Sequence, residues 1–180
     1  MPKNADKDAA RVTCTLYLVR HAIAEDRGDK WPDDSKRPLT EKGIAKMREI
    51  VRGLSRLDPE IEVVLTSPFV RARQTAELLV EGLKPKPALD VLSALVPGEA
   101  PARVAEALRP YAGKKAIALV GHEPALGELG AWLIGANAPV VFKKGGIGQI
   151  DVASLPPERY GQLVWLATPK MLRALATSHN

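Results

Sequence analysis

Apolar, β-branched runs alternate with segments of helical periodicity along this chain. The runs predict strands at residues 13–19, 62–66, 88–91, 115–120, 148–152 and 162–167. The segment between the last two is too short for a crossover helix, so we expect those strands to pair antiparallel. The alternation predicts a three-layer α/β/α sandwich with a mostly parallel central sheet of about six strands, one of them antiparallel.

Helices are predicted between these strands, at 69–83 and 101–111 and in two further segments. The first long helix follows a predicted cap at Thr40, and a fourth helix follows Pro124. Apolar residues recur at helical spacing in both, as Ile44, Met47, Val51, Leu54 and Leu57 in the first and as Leu126, Leu129, Trp132 and Leu133 in the second. Each stripe is expected to pack on the sheet.

A chain of 180 residues fits one domain, which we place at 13–180 behind a flexible tail at 1–12. The tail is polar and lacks the apolar stretch of a secretory signal, and no run is long enough to span a bilayer. Cys14 is the single cysteine and falls in the first strand, so we expect it in the core. These features predict a soluble protein of the reducing cytoplasm.

The net charge of +5 favours an acidic ligand such as a phosphate ester, a phosphoprotein or a nucleic acid. The basic pairs Lys114-Lys115 and Lys143-Lys144 lie far apart, with no interleaved aromatic residues to stack bases. We therefore expect no nucleic-acid partner and interpret the pairs as solvated loop ends.

Candidate chemistry follows the predicted strands. Arg20 and His21 end the first strand, where α/β sheets usually bind ligands, and a histidine beside an arginine suggests a nucleophile next to an anion clamp. A surface pair that caps the strand is the alternative. Arg71 lies at the start of the helix after the second strand, and His122 follows the fourth, although it could be an ordinary turn histidine. Together these four residues are expected to converge on one rim of the sheet.

In this order the motifs resemble the histidine phosphatase superfamily, which contains the cofactor-dependent phosphoglycerate mutases, and within it the SixA-type phosphohistidine phosphatases. The matching segments are 18–22, 36–40 with Gly43, 67–75, 96–98 and 120–124. The resemblance implies a phosphoglycerate mutase-like fold and a phosphatase that needs no metal or cofactor. His21, His122 and His179 also lack the spacing of a metal site.

The resemblance also implies roles for individual residues. His21 would attack phosphorus and form a phosphohistidine, with Arg20, Arg71 and His122 binding the phosphoryl oxygens. Crowding by Arg20 and Arg71, with Arg73 as a third candidate, would keep the His21 imidazole neutral, and a hydrogen bond from its other ring nitrogen to a backbone carbonyl would fix the tautomer.

Other polar residues are assigned less directly. Arg37 is a candidate contact to phosphate or substrate on the resemblance alone. Arg73, two positions after Arg71, points to another helix face. A surface ion pair and a ligand contact are equally consistent with that position, so we leave Arg73 out of the site. The glycine-rich run at 145–148 lacks the helix and lysine of a nucleotide loop, and it predicts the start of a strand.

One departure from the superfamily pattern bears on the substrate. Many members carry an acid after the third strand that protonates an alkoxide leaving group, but Ala94 stands there in this chain. Glu99 is the remaining candidate acid. Because imidazole leaves more readily than an alkoxide, we expect a preference for phosphohistidine over aliphatic phosphate esters.

The predicted function is therefore a phosphatase that removes phosphate from phosphohistidine in proteins. Small phosphate esters or phosphoanhydrides are the alternative substrates, and a non-catalytic phosphate-recognition module is the alternative from another functional class. We expect a phosphorylated protein or small phosphorylated molecule as partner and a phosphate or other oxyanion in the pocket. We expect a monomer, with no membrane partner.

Overall fold

A computed structural model describes residues 12–157 and 161–177. Its sheet comprises β1 Cys14–Arg20, β2 Val63–Thr66, β3 Ala88–Val91, β4 Ala116–Gly121, β5 Ile147–Val152 and β6 Gln162–Ala167, in the order β3-β2-β4-β1-β5-β6. The first four strands run parallel, whereas β5 pairs antiparallel with both β1 and β6. The predicted sheet of six strands, mostly parallel, is confirmed, and so is the antiparallel pairing of the last two.

Within the described residues, five α-helices cover the two faces of the sheet. They are α1 Glu41–Ser55, α2 Val70–Gly82, α3 Pro101–Ala107, α4 Ala125–Ile134 and α5 Pro169–Thr177. One apolar cluster joins α1, α2 and α5 to one face, and a second joins α3 and α4 to the other. The predicted three-layer sandwich is confirmed. Thr40 caps α1 as expected, because its hydroxyl accepts the Gly43 N–H at 2.9 Å.

Several predicted details are wrong at the ends of helices. Leu57 lies beyond the end of α1 and is 44% exposed, so it is not part of the apolar stripe. Trp132 is 39% exposed because it lies one position off the face that Leu129 and Leu133 turn to the sheet. The third helix is α-helical only to Ala107 and continues as a 3-10 turn, since Pro110 has no N–H to extend the α-helix.

The sequence analysis missed α5. Its Leu172 is fully buried, and the helix packs against α1. The approach requires a glycine, because a Cβ at Gly53 would lie 1.8 Å from the Leu172 carbonyl oxygen. Cys14 is buried as expected.

Residues 1–11, which form most of the predicted tail, and His179 lie outside the described residues, so the division into tail and domain stays a prediction. Within residues 12–157 and 161–177, none of the helices has the length and apolar character needed to cross a membrane.

Candidate active site

Three neighbouring parallel strands end at the same edge of the sheet. The residues that follow β2, β4 and β1 are Ser67, His122 and His21, with His122 in the middle because β4 lies between the other two strands. Backbone hydrogen bonds continue past the strand ends: His21 N–H donates to the Gly121 carbonyl at 3.1 Å, and Ser67 N–H donates to the Val120 carbonyl at 3.0 Å. The sheet register therefore places the three side chains next to one another.

The His21 imidazole is buried, and one of its nitrogens is engaged. Nδ1 lies 2.7 Å from the Ala22 carbonyl oxygen and donates its proton there, which leaves Nε2 with the lone pair. Burial is the main reason that the pKa of His21 is lowered to about 4. The Ala22 hydrogen bond raises this pKa, whereas the charges of Arg71 and Arg20 lower it further. The imidazole is therefore neutral at pH 7, as predicted, and the arginine charges contribute as expected, although burial is the larger cause. Loss of hydration outweighs the arginine charges.

The second histidine is hydrogen-bonded to a residue that sequence reasoning missed. His122 Nε2 lies 2.9 Å from Ser67 Oγ, which also accepts the Phe69 N–H at 3.3 Å. The His122 ring is 5.1 Å from that of His21 and packs edge-on against Phe69. The pKa of His122 is lowered to about 3, mainly by burial and further by His21 and Arg71. This ring is therefore also neutral. Ser67 had appeared only as a member of a matching segment.

Arg71 lies in the first turn of α2 and is 1% exposed. Its guanidinium donates to Asp34 twice, from Nη1 to the carbonyl oxygen at 2.7 Å and from Nη2 to Oδ2 at 2.9 Å. Arg37 Nε donates to the other carboxylate oxygen of Asp34 at 2.8 Å. Asp34 thus orients two arginines, and no sequence motif indicated it, since it begins a short 3-10 turn in the polar segment before α1.

Arg20 and Arg37 are further fixed by backbone carbonyls. Arg20 Nη1 donates to the Phe142 carbonyl at 2.6 Å, and the Phe142 N–H donates to Glu123 Oε1 at 2.8 Å. Arg37 Nη1 donates to the Glu25 carbonyl at 2.7 Å. Both guanidinium groups are therefore positioned before any ligand binds, which reduces the cost of organising an anion site.

Five of the six sequence-predicted residues line one cleft of about 270 Å³, namely Arg20, His21, Arg37, Arg71 and His122. The sixth, Glu99, is half-buried, does not line the cleft, and accepts the Ala100 N–H at 3.1 Å. Arg73 is exposed and lies 3.9 Å from Glu77, so it forms a surface ion pair.

Four buried side-chain nitrogens have no hydrogen-bond partner among the described residues, and three of them belong to residues that line the cleft: Arg20 Nε, Arg71 Nε and His122 Nδ1, the fourth being Trp31 Nε1. Leaving a buried donor unpaired costs about 1–3 kcal/mol, so such groups are uncommon outside ligand sites. The three that belong to cleft residues fit the acceptor oxygens of a tetrahedral oxyanion. Among residues 12–157 and 161–177, no three His, Cys, Asp or Glu side chains are grouped so that they could hold a metal ion.

Charged residues at the mouth of the cleft were also missed by the sequence analysis. Lys144 and Arg27 add positive charge, while the carboxylates of Glu25, Asp26 and Glu123 add negative charge. The floor is therefore rich in buried donors, whereas the mouth has mixed charge. Lys144 belongs to one of the lysine pairs that had been interpreted as solvated loop ends.

Comparison with known proteins agrees with this geometry. The family model described as histidine phosphatase superfamily (branch 1) matches residues 16–95. Phosphohistidine phosphatase SixA of Escherichia coli is 30% identical over 165 residues, which cover 89% of this chain and 99% of that protein. An uncharacterised protein of Picosynechococcus sp. is 44% identical over 116 residues, 63% of this chain and 68% of its own.

Among solved structures, the protein histidine phosphatase SixA complexed with tungstate superposes with a TM-score of 0.77. The two chains are 28% identical, and the alignment covers 87% of this chain and 97% of that one. The similarity therefore extends over most of the fold.

Proposed function

Because this chain belongs to the histidine phosphatase superfamily, we propose that it is a metal-independent phosphatase that removes phosphate from phosphohistidine in proteins. Family membership supports the phosphatase activity, while the identity of the substrate is our inference. The observation that carries the proposal is that three residues with buried, unpaired nitrogens, Arg20, Arg71 and His122, line the same cleft as a neutral histidine.

In the first chemical step, the lone pair of His21 Nε2 would attack phosphorus. A bond forms between Nε2 and phosphorus as the bond from phosphorus to the substrate nitrogen breaks, and the leaving imidazole takes a proton from solvent. The Ala22 carbonyl supports this role, because it keeps the proton on Nδ1. Water would then attack the phosphohistidine, which restores His21 and releases inorganic phosphate.

The unpaired donors would bind the oxygens of the transferring phosphoryl group. Phosphoryl transfer spreads negative charge over three equatorial oxygens, which suits the fixed guanidinium groups of Arg20 and Arg71. Ser67 would contribute through His122: a hydroxyl that accepts from Phe69 N–H can donate to His122 Nε2. His122 would then carry its proton on Nδ1, the atom that has no partner among the described residues.

The preference for phosphohistidine depends on the absence of a general acid at Ala94. Neither Ala94 nor Glu99 lines the cleft, which supports the argument. Three carboxylates line the cleft, and two of them have partners. Glu123 accepts a backbone N–H, and Glu25 lies 3.8 Å from the Lys30 ammonium. Asp26 is the remaining candidate. If it is not an acid, alkoxide leaving groups depart poorly and imidazole is favoured.

A turnover panel tests the proposal with chelator present throughout. It compares a phosphohistidine peptide, a phosphoserine peptide, an aryl phosphate and 3-phosphoglycerate. We expect the highest kcat/KM for phosphohistidine. A higher value for phosphoserine would overturn the substrate assignment, and loss of activity with chelator would overturn metal independence.

Brief incubation with labelled substrate tests the covalent step. We expect an acid-labile phosphate on the protein, and none on the His21→Ala variant. Equal labelling of the variant would show that another residue is the nucleophile. No label and no turnover would instead favour a phosphate-recognition module.

A further inference from the structure

Beside the catalytic cleft lies a second groove of about 550 Å³, which no motif of the sequence indicated. Ile50 of α1 and Pro169 of α5 line it, together with Ile23 from the segment after β1. Arg20 and Lys144 line both this groove and the catalytic cleft, so the two are adjacent. We call it the basic groove.

The charge of the basic groove has one sign. Within the described part of the chain, no aspartate or glutamate lines it. Six of its lining residues are cationic: Arg20, Lys46, Lys143, Lys144, Lys170 and Arg173. Arg173 pairs with Glu49, which lies outside the lining. None of the four lysines has an ion-pair partner among residues 12–157 and 161–177. The groove therefore presents uncompensated positive charge around apolar side chains.

The backbone of the loop that carries Lys143 and Lys144 is held against the end of β1. Gly145 N–H donates to the Arg20 carbonyl at 3.1 Å, which connects the loop directly to the end of β1. Gly145 has φ of +80°, and a Cβ there would lie 2.9 Å from Ile50 Cδ1. The glycine run before β5 thus presents Lys143 and Lys144 at a constant place between groove and cleft.

We propose that the basic groove binds an acidic segment of the phosphorylated protein whose phosphohistidine enters the cleft. This inference rests on the proposed function and adds the chemistry of the partner. Carboxylates of the segment would lie against the lysines, and its apolar side chains would cover Ile23, Ile50 and Pro169. A nucleic-acid strand fits less well, because no aromatic ring lines the described groove to stack bases.

The test uses the full chain and reverses the charge of two of the three lysines that line the groove but not the cleft, Lys46→Glu with Lys170→Glu. The control variant, Lys42→Glu with Lys84→Glu, makes the same charge change at exposed lysines outside the groove. Two phosphohistidine peptides serve as substrates, one flanked by four acidic residues and one by four glutamines. An aryl phosphate reports on the chemistry alone.

For the wild-type chain at low salt, we expect the KM for the acidic peptide to be at least about fivefold lower than the KM for the glutamine peptide. In the groove variant, the KM for the acidic peptide should rise about tenfold, while kcat and the turnover of the aryl phosphate stay unchanged. The control variant should retain the preference. Equal KM values for the two peptides, or the same loss in both variants, would overturn the proposal.

A binding measurement separates this proposal from the proposed function. If the wild-type chain hydrolyses neither peptide, the proposed substrate is wrong, and anisotropy of a labelled, unphosphorylated acidic peptide still tests the groove. We expect binding that the groove variant loses and the control variant keeps. No binding, or tighter binding of a single-stranded oligonucleotide of matched charge, would overturn an acidic protein segment as the occupant.

Discussion

The two ends of the parallel strands both border a concave surface, but the surfaces differ in whether their polar groups are paired. The groove at the amino-terminal end is larger, about 1310 Å³ against about 270 Å³ for the catalytic cleft. Its Glu62 accepts the Lys115 N–H at 2.7 Å and lies 3.3 Å from the Lys114 ammonium. The cleft instead contains buried donors that no described residue satisfies. Unmet hydrogen-bonding capacity, rather than volume, distinguishes the candidate site.

The largest effect is expected at the buried arginine. Replacing Arg71 by alanine should lower kcat by about a hundredfold, or about 3 kcal/mol, by analogy with loss of an oxyanion-hole donor. Arg73→Ala, on the exposed side of the same helix turn, should change kcat by less than about twofold, since exposed ion pairs contribute little. Steady-state kinetics on the aryl phosphate measures both.

Arg71 also pairs with Asp34, so the alanine variant could lose activity by unfolding. Arg71→Lys keeps the charge but loses the planar fork, and thermal unfolding reports the folded fraction of each variant. A folded Arg71→Lys protein with full activity would contradict the role assigned to the guanidinium.

The next effect concerns pH and stability at the same edge. Because burial lowers the pKa of His21 to about 4 and of His122 to about 3, the unfolded chain binds protons first as the pH falls. Their stabilising contribution is complete above pH 6.5 and decreases below it. At pH 5 the free energy of unfolding should fall by about 2 kcal/mol for each histidine relative to pH 7.5.

Urea unfolding at the two pH values measures this loss. In a His122→Gln variant the pH-dependent loss should be smaller by about 2 kcal/mol, because one of the two histidines is gone. An identical pH dependence in the variant and the wild-type chain would contradict the burial of a neutral His122.

A smaller effect is expected at Ser67, which acts through His122. Ser67→Ala should lower kcat by about tenfold, since loss of one hydrogen bond to a neutral ring costs about 1 kcal/mol or slightly more, with little change in KM. Ring ¹⁵N shifts of His122 provide the second readout. A mixture of tautomers in the variant supports a positioning role, whereas an unchanged Nδ1–H form with reduced kcat would point to a structural role.

The comparison of the two ends also explains what could be predicted from sequence. His21, Arg71 and His122 follow strand ends or begin a helix, so periodicity and topology alone were enough to bring them to one edge. Such positions are determined by the order of elements along the chain. The fold was predictable for the same reason, apart from α5, a short helix that lies mostly on α1.

Asp34 was not predictable in this way. It contacts Arg71 across 37 positions of sequence from a short 3-10 turn in a polar segment, where residue spacing does not predict the direction of a side chain. The basic groove was missed for a similar reason, because Lys46 and Lys170 come from helices that pack only in the folded chain. Contacts of this kind depend on tertiary packing, which a local pattern does not encode.

The smallest effect is expected at the amino-terminal end of the sheet. Glu62→Gln removes the charge that faces Lys114 but keeps an acceptor for the Lys115 N–H, so it should cost less than about 1 kcal/mol of stability. Its kcat/KM on phosphohistidine peptide and aryl phosphate should stay within about twofold of the wild-type value, because exposed charges this distant are screened. A loss above tenfold with unfolding unchanged would mean that the larger groove takes part in the reaction, and the contrast between the two ends would then fail.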